Sequence, residues 1–96
     1  MEFVLIGYDS KDDGALERRQ SVREAHLQNA KQMFESGKLL FASALLDENE
    51  NMNGSIMFCE FPSKEAIEEE WLKHEPYIIG KVWEKVIIKR AKIAKH

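Results

Sequence analysis

The amino-acid sequence predicts an α+β fold with the element order β-α-β-β-α-β, and three observations support this prediction. Apolar runs near both ends and in the middle of the chain have the length and composition of strands. The segment between the first two runs places apolar side chains at helical spacing, and Pro76 ends a second, shorter helical pattern. The 96 residues suffice for one domain, which we assign to residues 1–96.

The first strand and the main helix are predicted from the N-terminal third. Phe3–Tyr8 is apolar on both alternating faces, as in a central strand that is covered on both sides, and the polar segment 9–14 is a loop. Ser21 and Glu24 match a capping box, in which each side chain satisfies a free backbone N–H of the first turn. We therefore expect the main helix to begin at Ser21, after a separate preliminary turn, and to end at Gly37.

The middle of the chain is predicted to form a β-hairpin. Leu39–Leu46 is again apolar on both faces, and the polar segment 47–54 is typical of a hairpin loop. Ser55–Phe61 then forms the third strand, antiparallel to the second.

The last third of the chain contributes a second helix and a final strand. Ser63 is placed as the N-cap of this helix, and Ile67 and Trp71 form its inner face. Pro76 stops the helix near His74 and opens a turn or short helix. Glu84–Ile93, rich in Val and Ile with basic residues between them, is predicted to be the fourth strand.

This element order is that of the ferredoxin-like split βαβ fold. Its four-stranded antiparallel sheet carries helices on one face only, so strands that are apolar on both faces predict a covering partner. A homodimer whose two sheets pack face to face is the simplest such partner.

Composition excludes several classes of protein. The formal net charge of -3 disfavours nucleic acid as a partner, and the basic segment 89–95 is interrupted by Ala and Ile, as in a solvated edge. The single Cys59 cannot form an intramolecular disulfide, and we interpret it as a small buried hydrophobe. The apolar runs are too short for a signal-peptide core or a membrane span. We therefore expect a cytoplasmic protein that does not bind membranes.

The main helix carries the first candidate site residues. His26 lies on its inner face between Val22 and Met33, and Arg19 and Arg23 project near it if the helix extends back that far. A functional histidine here needs a carboxylate or a cleft. The alternative is a core histidine bonded to a backbone carbonyl, with both arginines in solvent.

The second candidate segment, 73–80, is a helix end interrupted by a proline. Glu75 is held extended by the following Pro76 and is able to point back over the helix end. The alternatives are an exposed carboxylate, and for Tyr77 an aromatic ring packed under the turn. His74 ranks second to His26 as an acid-base group and is otherwise a helix C-terminal histidine.

Stronger signatures are missing from the sequence. It contains no HExxH, CxxC, P-loop or GxGxxG motif, so we expect no metal or nucleotide cofactor. His96, at the end of the sequence, is expected to be disordered.

Taken together, these segments resemble the YCII-related family of small bacterial proteins. The resemblance rests on Arg18 or Arg19, on the SVR-x-AHL motif at Ser21–Leu27, on Gly37–Leu39 and on the acidic-Pro-Tyr element at Glu75–Tyr77. It implies a ferredoxin-like fold that dimerises into an α/β barrel, with an active site built on a His-Asp pair.

By this resemblance His26 matches the family histidine, and Glu75 replaces the family aspartate. Ionised Glu75 would accept the N–H of one ring nitrogen, leaving the other as a general base. Arg19 or Arg23 would bind a substrate carboxylate or phenolate. We also assign Tyr77 and Ser43 to substrate binding; Ser43 stands in the Ala-Ser-Ala segment that replaces the Ala-Gly-Pro of many relatives.

The resemblance favours a cofactor-independent lyase or isomerase that acts on a small anionic organic molecule, because one characterised branch of the family eliminates chloride from a chlorinated aromatic compound. The alternative is a non-catalytic dimeric protein that holds a small ligand in the same pocket. A haem-handling role is a third, weaker alternative.

Overall fold

The computed structural model of the protein describes residues 1–95, so the expectation for His96 lies outside the described residues. The elements are β1 (Glu2–Asp9), α1 (Ala15–Glu35), β2 (Leu39–Leu46), β3 (Met52–Glu60), α2 (Lys64–Glu70), a 3-10 turn (Leu72–His74), α3 (Pro76–Ile79) and β4 (Trp83–Arg90). The predicted element order is confirmed, and the turn or short helix opened by Pro76 is α3.

The four strands form one antiparallel sheet in the order β2-β3-β1-β4. β1 is central, as predicted, with Leu5 paired to Met57 on one side and to Ile88 on the other. The helices cover one face, and the side chains that alternate onto this face from β1 and β3 form the core. They include Phe3, Leu5, Met57 and Cys59, which are 0–3% exposed. The predicted ferredoxin-like α+β fold is therefore confirmed.

The predicted start of the main helix is wrong by six residues: the helix begins at Ala15, with Gly14 at the N-cap position and no side-chain cap. Asp12 accepts the Gly14 N–H at 3.2 Å and two guanidinium N–H groups of Arg18 at 2.7 Å, which stabilises a start at Ala15. Ser21 lies inside the helix, where its hydroxyl donates to the Arg18 carbonyl. The helix ends as predicted, with Gly37 at φ +79°.

Three of the strands have boundaries that differ from the predictions. β3 begins at Met52 rather than Ser55, because the Asp47 side chain accepts the N–H groups of Asn49 and Asn51 and closes a shorter loop. Asp9, assigned to a loop, is the last residue of β1 and is buried. The fourth strand covers residues 83–90 instead of 84–93.

The second helix begins as predicted, but it ends at Glu70 rather than near His74, because the chain tightens into the 3-10 turn. The Ser63 hydroxyl accepts the Ala66 N–H at 3.1 Å, so the N-cap is confirmed. Ile67 and Trp71 form the inner face and are 0% and 2% exposed. The 3-10 turn then carries the chain to Glu75, whose extended backbone precedes Pro76.

The second face of the sheet carries apolar side chains that no helix covers. By register, Ile6, Ile56 and Ile87 lie across this face from β1, β3 and β4, and Phe41 of β2 lies beside Phe58. Phe41 is 57% exposed. Of the helices in residues 1–95, none combines the length and the apolar character that crossing a membrane requires.

Candidate functional site

His26 and Glu75, 49 residues apart in the chain, are hydrogen-bonded in the structure. His26 Nδ1 lies 2.5 Å from Glu75 Oε1, and the two side chains are 9% and 1% exposed. Both are therefore buried, which differs from the alternatives of a histidine bonded to a backbone carbonyl and an exposed carboxylate. Because Glu75 is acceptor-only when ionised, we assign the Nδ1–H tautomer to neutral His26.

Glu75 receives two further donors from its own segment. Its Oε2 accepts the Trp71 indole N–H at 2.7 Å, and its Oε1 accepts the Tyr77 backbone N–H at 3.2 Å. This second bond caps α3, and it forms because Pro76 holds Glu75 extended at φ -69°, ψ 120°. The carboxylate is thereby fixed in direction, with one oxygen aimed at α1.

The His26 ring is held by aromatic neighbours. It stacks on Tyr77 with ring centroids 3.8 Å apart and an interplanar angle of 7°, and it meets the Trp83 ring edge-on at 6.2 Å. Nε2 of His26 makes no hydrogen bond to residues 1–95. Every fully buried side-chain nitrogen or oxygen in this range has a hydrogen-bond partner, so Nε2 is not fully buried. Nε2 therefore lies at an accessible surface with its lone pair free.

A cavity of about 140 Å³ borders His26, between α1 and strands β2 and β3. Four other predicted site residues also border it: Arg19, Arg23, Ser43 and Tyr77. A groove of about 680 Å³ lies beside the cavity, between α1 and the β2–β3 loop, and shares Arg19, Arg23, Leu27 and Met52 with it. The cavity is thus reached from solvent along α1.

Arg19 is buried, 2% exposed, and its N–H groups are directed at protein acceptors. Nε and Nη2 donate to the two carboxylate oxygens of Asp9 at 2.8 and 3.4 Å. Nη2 also lies 2.7 Å from the Gly54 carbonyl and from Ser55 Oγ, and Nη1 donates to Tyr77 Oη at 3.2 Å. Of the two arginines considered for anion binding, Arg19 is therefore the one whose N–H groups are already hydrogen-bonded within the protein.

Arg23 is the arginine that remains available. It lies one turn further along α1, is exposed, and borders both the cavity and the groove. None of the ion pairs within residues 1–95 includes it. Its guanidinium can therefore meet a negatively charged ligand at the cavity mouth.

Ser43 and Tyr77 border the cavity, and the hydroxyl of each has a hydrogen-bond partner within the protein. The Ser43 hydroxyl donates to the Ala44 carbonyl, and the register pairs Ser43 with Ile56 on the sheet face that the helices leave open. Tyr77 is 0% exposed. Burial raises the pKa of Tyr77, with the positive charges of Arg19 and Arg23 opposing the increase. Tyr77 therefore packs against the His26 ring as a neutral side chain.

Sequence reasoning missed Asp9, Ser55 and Trp83 as parts of this site and treated Trp71 only as a core residue. Asp9 continues the inward-facing alternation of β1, a signal that was available. Trp71 precedes Glu75 by four residues, close enough for its indole N–H to bond this carboxylate. His74, the second-ranked histidine, is exposed in the 3-10 turn and lies outside the cavity. In the described part of the chain, no three His, Cys, Asp or Glu side chains form a group suited to a metal ion.

Comparison with known proteins gives matches over nearly the whole chain. The model of the YCII-related domain matches residues 1–92. Protein YciI of Escherichia coli O6:H1 is 35% identical over 95 residues, which cover 93% of this chain and 94% of the relative. An uncharacterized protein of Haemophilus influenzae is 33% identical over the same shares of both chains.

Two solved structures show the same fold. The 5-chloro-2-hydroxyhydroquinone dehydrochlorinase TftG of Burkholderia phenoliruptrix AC1100, solved in complex with 2,5-dihydroxybenzoquinone, is similar with a TM-score of 0.82 at 20% identity, covering 98% of this chain and 96% of TftG. A dimeric ferredoxin-like protein from an uncultured marine organism has a TM-score of 0.58 at 18% identity, covering 100% and 97%. With the family match and the relatives above, the sequence and the fold agree: the chain belongs to the YCII-related family.

Proposed function

We propose that this protein is a cofactor-independent lyase or isomerase that acts on a small anionic organic molecule, with His26 as its general base. The observation that carries the proposal is the buried pair of His26 and Glu75, whose nitrogen and oxygen lie 2.5 Å apart, with His26 bordering the cavity. A buried imidazole with one nitrogen bonded to a carboxylate and the other free is the arrangement that proton abstraction needs.

In the proposed reaction Nε2 of His26 takes a proton from an O–H or activated C–H group of the substrate. Glu75 holds the ring in the Nδ1–H tautomer and stabilises the positive charge that the ring acquires. In an elimination, the electron pair of the broken bond forms a new double bond and a leaving group departs with its own pair. In an isomerisation, the imidazolium returns the proton to a different atom.

The cavity and its charge support a single-ring anionic substrate. A volume of about 140 Å³ is close to the roughly 150 Å³ of a protein cavity that binds benzene. Arg23 at the mouth would bind a carboxylate or phenolate. TftG, named for dehydrochlorination of a hydroxylated chloroaromatic ring, supplies suitable probes.

The test combines chloride release from 5-chloro-2-hydroxyhydroquinone and other chlorinated phenols with calorimetric binding of 2,5-dihydroxybenzoquinone. We expect His26→Gln to lower kcat by about 10²–10⁴-fold, the usual contribution of a general base, and to retain binding. The matched control is His74→Gln, since His74 is exposed in the neighbouring turn. Binding by the wild-type protein without turnover of any compound would instead favour the non-catalytic ligand-binding protein.

We infer further that the protein is a homodimer formed through the open sheet face. The uncovered apolar side chains of this face, with Phe41 57% exposed, are suited to a self-complementary interface. A dimeric ferredoxin-like protein is among the similar structures. Sedimentation equilibrium tests the inference: Phe41→Glu is expected to shift the wild-type dimer toward monomer, whereas a monomeric wild-type protein would refute it.

A further inference from the structure

The buried ion pair of Arg19 and Asp9 has no part in the reaction proposed above. The two residues are 2% and 6% exposed, with Nε and Oδ2 2.8 Å apart. Taking two charges out of water is costly, and an apolar pair of similar volume is often as stable. A contribution to stability is therefore a weak explanation for the presence of this pair. The other contacts of Arg19 indicate a second role.

The guanidinium also contacts one aromatic side chain, Tyr77, both at its hydroxyl and over its ring. Asp9, the Gly54 carbonyl and Ser55 Oγ fix Arg19 from the sheet side. From that position Nη1 donates to Tyr77 Oη at 3.2 Å, and the guanidinium carbon lies 4.6 Å from the ring centroid. Arg19 thus holds the outer end of the Tyr77 ring.

The inner end of the same ring is held by the site itself. The Tyr77 backbone N–H donates to Glu75, and Trp83 meets the Tyr77 ring edge-on at 5.5 Å. Trp83 is in turn directed by its indole N–H, which lies 3.3 Å from Ser55 Oγ, the oxygen that also accepts from Arg19. The ring against which His26 stacks at 3.8 Å is therefore fixed at both ends.

We propose that Arg19, anchored by Asp9, is a positioning residue that holds the Tyr77 ring and through it the orientation of the His26 imidazole. The catalytic consequence rests on the proposed function, because the direction of Nε2 matters only if this nitrogen meets a substrate. The stacking itself does not depend on catalysis. Arg19 acts through Tyr77 and does not contact substrate.

The experiment records imidazole NMR signals of the full-length protein without ligand. In the wild-type protein we expect the ring current of Tyr77 to shift the carbon-bound protons of His26 upfield of those of exposed His74, because the two rings are stacked. Tyr77→Phe removes only the hydroxyl that Arg19 holds, and Tyr8→Phe, at an exposed tyrosine, is the matched control. We expect the His26 protons to move toward the His74 positions in Tyr77→Phe and to stay in place in Tyr8→Phe.

A second variant removes the anchor itself. Asp9→Leu with Arg19→Met replaces the ion pair by apolar side chains and leaves neither charge unpaired; if it fails to fold, Tyr77→Phe decides alone. Folded variants with unchanged His26 signals would overturn the proposal. With a turned-over substrate, kcat is expected to fall about tenfold at nearly constant KM, because misplacement of a catalytic group slows the chemical step. Displaced signals in a protein without turnover would leave the positioning role intact and refute only the proposed catalysis.

Discussion

Replacing Glu75 by glutamine tests the hydrogen-bond network that holds the site. The carboxylate accepts three donors: His26 Nδ1–H, the Trp71 indole N–H and the Tyr77 backbone N–H. A glutamine amide has the same shape but only one acceptor oxygen, and its NH₂ group is a donor. If the oxygen stays at the Oε1 position, the indole N–H faces the NH₂ group. If the amide is reversed, the Tyr77 backbone N–H faces the NH₂ group instead.

In either arrangement at least one buried donor has no acceptor. Leaving such a donor unpaired costs about 1–3 kcal/mol, and the bonds that remain change from charge-assisted to neutral, which costs roughly another 1 kcal/mol. We therefore expect Glu75→Gln to lower the free energy of unfolding by about 2–4 kcal/mol, a large share of the roughly 5–15 kcal/mol of a typical domain.

The assay is urea denaturation at pH 7 and one protein concentration, followed by circular dichroism. Glu68→Gln, at an exposed position of α2, is the control and should stay within about 0.5 kcal/mol of the wild-type protein. Trp71→Phe removes the indole donor. We therefore expect it to lower the free energy of unfolding by about 0.5–3 kcal/mol less in the Glu75→Gln variant than in the wild-type protein. A Glu75→Gln variant as stable as the control, or strictly additive effects, would refute the three-donor network.

Three further predictions concern the fold. In Gly7→Ala the added carbon would lie 2.5 Å from the Trp83 ring; overpacking of this kind costs about 1–3 kcal/mol, and an unchanged Tm in calorimetry would contradict it. Ser63→Ala removes the acceptor of the Ala66 N–H and should lower the urea midpoint by the equivalent of about 1 kcal/mol. Burial raises the pKa of Cys59 from 9.0 to about 11, so on raising the pH the unfolded chain loses the thiol proton before the folded protein does. The contribution of Cys59 to the free energy of unfolding is therefore complete below pH 9 and is lost as the pH rises toward 11. Unfolding measurements across this range should show a flatter decline in Cys59→Ala.

Local pattern in the sequence was sufficient for most of the fold. A run that is apolar on both faces identifies β1 as a central strand, the Ser63 hydroxyl identifies the start of α2, and Pro76 identifies the break that leaves Glu75 extended. The helical stripe places His26 on the inner face of α1. Each of these features depends on residues only a few positions apart, so their spacing carries the information.

Features that depend on competing local partners were not determined in this way. Ser21 and Glu24 form an acceptable capping box, but Asp12 satisfies the N–H of Gly14 and pairs with Arg18, so the helix begins earlier. No spacing rule ranks two such helix starts, because both are compatible with the chain around them.

Only the tertiary structure decided which candidate side chains meet. It brings His26 to 2.5 Å from Glu75, and it commits Arg19 to Asp9 while Arg23 stays exposed at the cavity. The two arginines are one helical turn apart and nearly indistinguishable in sequence. Arg19 lies where β1 presents a buried carboxylate, and burial without that carboxylate would be prohibitively costly. The direction of a side chain is thus set by the partners that folding brings from distant parts of the chain.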